Sequence, residues 1–100
     1  MHDHYDHNQT LVPESFLALY AAPGGYKLTE PIAHVRARYE LCEDMAQMLT
    51  EQAAARQFQL GAPGQEILAT MQQGLAAEGS PLLPVEAEWV VRRLAELLSW

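Results

Sequence analysis

Apolar residues recur along the chain at spacings of three and four, and Gly and Pro divide them into four helical segments. The first, "PESFLALYAAPGG", predicts a short helix. Pro13 suits its first position, Phe16, Leu17 and Tyr20 share one face, and Pro23-Gly24-Gly25 stops it. The second runs from Thr29, read as its N-cap, to Gly61, read as a left-handed terminator. A third is expected from about Pro63 to Glu78, ending at Gly79, with Ile67, Leu68, Met71 and Leu75 as one narrow stripe. The fourth starts near Pro84 and continues close to the C-terminus, with Val90, Val91, Leu94, Leu97 and Leu98 facing one way. No segment alternates with period two. The pattern predicts an all-α fold: a small helical bundle with one long central helix, a short N-terminal helix and a C-terminal helical hairpin.

The second segment carries the most information. Ile32, Val35, Tyr39, Cys42, Ala46, Leu49 and Ala53 form an unbroken heptad seam. Leu41, Met45 and Met48 make a second stripe beside it, and Arg36, Glu40, Glu43, Gln47 and Glu51 form a polar side read as solvated. The two apolar stripes together span roughly 200° of the helix, about twice what a surface helix needs. Some ~30 helical residues reach about 45 Å, while each of the last two helices reaches only about 22–25 Å. Two short helices therefore leave part of the spine uncovered. Self-association, most simply as a homodimer using Met45 and Leu49, is the expected remedy, ahead of a bend in a stretch that holds no helix breaker.

Composition narrows the function classes. With 100 residues, of which 49% are hydrophobic, the chain suits one domain spanning residues 11–100, preceded by a His/Asp-rich tail over residues 1–10. A formal charge of −7 without a basic cluster speaks against nucleic acid. The single cysteine, Cys42, excludes an intrachain disulfide and reads as a small core hydrophobe. No apolar run approaches the ~18 residues of a membrane span, so no membrane partner is expected and the cytoplasm is the expected location.

Candidate chemistry is sparse. "HDHYDH" at the start supplies His2, His4 and His7 as potential metal ligands, because imidazole and carboxylate suit Zn, Ni or Cu. A tail without apolar anchors does not hold such ligands in place, so it is read as disordered. His34 and Arg38, four apart at the edge of the apolar arc, form a candidate pair for a carboxylate or phosphate, or a half-buried pair satisfied by a neighbouring Glu. Glu30 and His34 stand four apart and only once, which does not meet the repeated Glu-x-x-His of a di-iron bundle. "APGGYK" and "GAPGQE" lack the Gly-Lys-Ser/Thr of a phosphate loop and read as helix punctuation. No catalytic residue and no cofactor are assigned. On the fourth helix Trp89, Arg93, Glu96 and Trp100 line up opposite Leu94, an aromatic and charged stripe of the kind enriched at interfaces. Either the N-terminal helix covers it through Phe16, Leu19 or Tyr20, or a partner does.

The blocks "RYELCEDMAQMLTEQA" and "WVVRRLAELLSW" resemble a family of short, uncharacterised bacterial proteins that often carry the label "ATPase with chaperone activity". The resemblance implies a cytoplasmic bacterial protein associated with chaperone machinery and brings no catalytic residues with it. The residues favour a non-enzymatic helical interaction or adaptor protein, with a small metal- or ligand-binding protein as the alternative and a nucleotide-dependent chaperone activity as the second. Deleting residues 1–9 is expected to shift the thermal unfolding midpoint by less than about 2 °C. A larger loss, or tightly bound stoichiometric metal that vanishes with the deletion, would contradict the reading of a tail.

Overall fold

A computed structural model describes residues 11–25 and 27–100. The fold is an all-α bundle. Helix α1 spans Glu14–Leu17 and continues as a 3-10 turn over Ala18–Tyr20; α2 spans Ile32–Leu60, α3 Gly64–Leu75 and α4 Pro84–Leu98. Among the described residues the only β pairing is an isolated antiparallel bridge between Ala21 and Leu28. The chain forms two compact units, Met1–Glu40 and Leu41–Trp100, and the division falls inside α2.

Three helices begin the same way. The carbonyls of Pro13, Pro31 and Pro63 each accept hydrogen bonds from the N–H groups three and four residues on, at 3.0–3.3 Å. Proline has no N–H to leave unsatisfied, and its fixed φ directs the chain into the first turn. Pro13 therefore stands one residue before its expected helical position. Thr29 does not cap α2. Both its N–H (2.7 Å) and its hydroxyl (3.3 Å) donate to the Tyr20 carbonyl, which closes the preceding loop. The far end of α2 follows expectation, with Gly61 left-handed at φ 64° and its N–H on the Gln57 carbonyl.

In the first unit Phe16 is fully buried, with ring centroids 5.9 Å from Tyr20 and 5.7 Å from Tyr39, the latter pair in an edge-to-face arrangement. Helical hydrogen bonding stops at Tyr20 rather than at the Pro-Gly-Gly run. Gly24 and Gly25, both at positive φ, instead form the tip of a turn closed by the Ala22 N–H on the Lys27 carbonyl (2.7 Å).

The second unit is built on the expected seam. Cys42, Ala46 and Ala53 have no exposed surface. Ala53 packs with Ile67, Leu68 and Met71 of α3 and Val91 and Leu94 of α4, and Leu49, Leu75, Leu98 and Trp100 flank that cluster. Helix α3 ends at Leu75, short of Glu78. Gly74 weakens its last turn, and the Ala77 and Ser80 N–H groups close three-residue turns instead of continuing the α pattern.

The C-terminal residue is tied in. Ser99 turns left-handed (φ 58°), and the Trp100 N–H bonds the Ala95 carbonyl at 2.9 Å. That places the indole on Gly64, where an added Cβ would lie 2.6 Å from Trp100 Cδ2. Gly64→Ala is therefore expected to destabilise the protein in urea unfolding by about 1 kcal/mol, although alanine is the better helix former. In a Trp100→Ala background the same change should become neutral or stabilising. An unchanged sign would contradict the indole–glycine contact.

Candidate interaction site

The stripe expected on α4 is divided by the fold. Trp89 is 7% exposed in the single chain, so its indole offers little free surface, and it is engaged with a partner group of the chain itself. Trp100 is half-buried against Gly64, and Glu96 is exposed. Arg93 turns toward α2 and forms a two-pronged pair with Glu43, Nε to Oε1 at 2.9 Å and Nη2 to Oε2 at 3.1 Å. Its remaining arm, Nη1, donates to Glu96 Oε1 at 3.1 Å, and Gln47 Nε2 donates to Glu43 Oε2 at 2.8 Å. Glu43 was expected on a solvated face. Instead its side chain is 19% exposed and belongs to an interhelix clamp.

The forked geometry satisfies both carboxylate oxygens with charged donors, the strong form of the interaction. The Arg93 hydrogen bonds hold the Glu43 carboxyl below its usual range, Gln47 helps, and partial burial opposes them. Glu43, in turn, raises Arg93 above its already high value, with Glu96 adding to the effect against partial burial. The clamp fixes α4 on α2, a structural task that leaves Arg93 unavailable as a free interface cation. A Glu86 signal also went unread in the sequence. That residue, three after Leu83, is fully buried, and its Oε1 accepts the Leu83 N–H (2.9 Å), capping α4 beside Pro84. The acidic residue two positions after Pro84 was the available clue.

The remaining candidates are dispersed. His34 is exposed and sets its ring edgewise on Tyr20, with centroids 6.2 Å apart, while Arg38 is half-buried and already engaged. No convergent ligand pair follows from their spacing. His2, His4 and His7 lie outside the described residues. Among the described residues no three His, Cys, Asp or Glu side chains group as a metal site requires.

Beside its exposed polar residues, α2 leaves large apolar side chains in water. Met48 is 72% exposed, Phe58 90% and Leu60 70%, while Met45 and Leu49 are half-buried. The last turns from Ala54 to Leu60 are exposed except for Gln57. Two concavities accompany the helix. A 180 Å³ groove lies between α2 and α3, and one of 450 Å³ lies in the first unit, walled by Leu17, Ala21, Leu28 and Ile32 with Glu14 and Lys27 at its rim. Among the described residues no helix is long and apolar enough to cross a membrane. Comparison with protein-family models, curated proteins and solved structures found no match to the chain.

The clamp makes stability depend on pH. Because the folded pKa of Glu43 is lowered, its contribution is complete above the ordinary value of 4.5 and is lost as pH falls through the folded value. Glu43→Gln should cost about 1 kcal/mol at neutral pH in urea unfolding, a figure reduced for the partial exposure of both partners. The gap between the two proteins should shrink as pH falls below 4.5. A gap independent of pH, or none at pH 7, would contradict the clamp.

Proposed function

We propose that this chain is a non-enzymatic helical interaction protein of the cytoplasm that associates with itself and with a protein partner through α2. The observation that carries this reading is the exposure of Met48 and Phe58 on a helix whose seam residues Cys42, Ala46 and Ala53 are already enclosed by the chain's own fold. Exposed side chains of this size on one helix are typical of surfaces that bury on association. The polar network around Arg93 supports the same view, since it holds charge and hydrogen bonds in a structural clamp instead of directing them at a substrate. Kinship with the bacterial proteins labelled as chaperone ATPases belongs to this proposal in its chaperone-associated half: an adaptor that presents a helix face to a larger assembly.

A ligand-binding reading has one observation in its favour, the 450 Å³ groove of the first unit, whose volume falls in the range of small-molecule sites. Light scattering and calorimetry separate the two. The interaction reading predicts a mass that rises above the 11.2 kDa of one chain with concentration, and no saturable heat with ATP or Zn²⁺. A constant monomer mass with stoichiometric ligand heat would support the ligand reading instead.

A further inference from the structure

Helix α2 carries a projecting group on one side and a recess on the other, and the two match in size, spacing and charge. Phe58 is the most exposed large apolar residue among those described. Leu49, nine residues earlier, points about 180° away and lines the groove between α2 and α3 with Arg56, Thr70, Met71, Gly74 and Leu75. The groove is open to solvent, holds about 180 Å³ and is lined by Gln52 as well, so its volume is of the order of one aromatic ring. Its floor includes Met71, whose thioether suits an aromatic ring, and the space above Gly74 is open, with no atom within 4 Å of an added Cβ.

The charges follow the same spacing. Glu51 precedes Phe58 by seven residues on nearly the same face, about 10.5 Å along the axis. Leu49 precedes Arg56 by the same seven residues on the groove side. When the α2 helices of two copies run antiparallel, Phe58 of one over Leu49 of the other brings Glu51 onto Arg56. Ala54 and Ala55, both exposed and lying between Glu51 and Phe58, leave room for close approach.

We infer that the occupant of the α2–α3 groove is Phe58 of a second copy of this chain. The inference rests on the self-association proposed above and specifies its surface. Because the projecting group and recess lie on different faces, the contact is heterologous: each pair leaves one Phe58 and one groove free, and assembly continues beyond a dimer.

Sedimentation of paired variants tests this contact. Phe58→Ala removes the projecting group, and Gly74→Leu fills the recess while improving helix propensity, so neither threatens folding. Each variant alone should sediment as a monomer, and an equimolar mixture should form a dimer and stop there, because only one intact contact remains. Glu51→Arg should weaken the assembly of the otherwise unmodified chain, and Glu51→Arg with Arg56→Glu should restore it. Variants that assemble like the unmodified chain would overturn the groove contact and leave self-association through another surface standing. An unmodified chain that remains monomeric at every concentration would overturn both.

Discussion

Small side chains on the buried face of α2 set the distance between the helices of the second unit. Cys42, Ala46 and Ala53 have no exposed surface, and around Ala53 the larger Ile67, Leu68, Met71, Val91 and Leu94 close the core. A small residue opposite branched ones lets two helices approach at the near end of the usual 8–10 Å range, and the bulk of α3 and α4 then fills the space between. One methylene too many there forces off-rotamer side chains, so the seam leaves little tolerance for volume. That close fit encloses Cys42, Ala46 and Ala53 within the chain and leaves Met48, Phe58 and Leu60 exposed.

Polar interactions complete the fit without competing with it. The Glu43–Arg93 fork ties α4 to α2 beside the apolar seam, and Gln47 and Glu96 each add a further hydrogen bond to it. Partial exposure limits its energetic weight, so its value lies in fixing which face of α4 meets α2. With one polar edge of α2 clamped and its seam filled, Met48, Phe58 and Leu60 remain in water. An interaction protein needs this division between a face that folds the chain and a face that meets another, and α2 carries both along one helix.

Periodicity made most of the helical architecture legible. The seam from Val35 to Ala53, the stripe of α3 and the core face of α4 all depend on spacing, which folding preserves. Signals that depend on a distant partner were less readable. Thr29 resembles an N-cap until the Tyr20 carbonyl, nine residues back, claims both its donors. Glu43 and Arg93 each stand on a polar stripe of their own helix, and only the packing of α4 on α2 reveals them as partners fifty residues apart. Trp89 shows the same limit from the opposite direction, since its helix places it away from Leu94 and yet the fold buries it. Of the second stripe that spacing marked on α2, Leu41 and Met45 are half-buried and only Met48 is exposed, while Phe58 and Leu60 lay outside it, because periodicity does not separate positions used internally from those left free.

The claim that the chain fills its own seam is tested most directly at two neighbouring alanines. Ala53 is fully buried and Ala54 is exposed, and both are good helix formers in mid-helix. Urea unfolding of Ala53→Leu and Ala54→Leu isolates packing from propensity. A filled seam predicts a loss of about 1–3 kcal/mol for Ala53→Leu and a change within about 0.5 kcal/mol for Ala54→Leu. Equal tolerance at both positions would mean that the seam is open to a partner, contrary to this account.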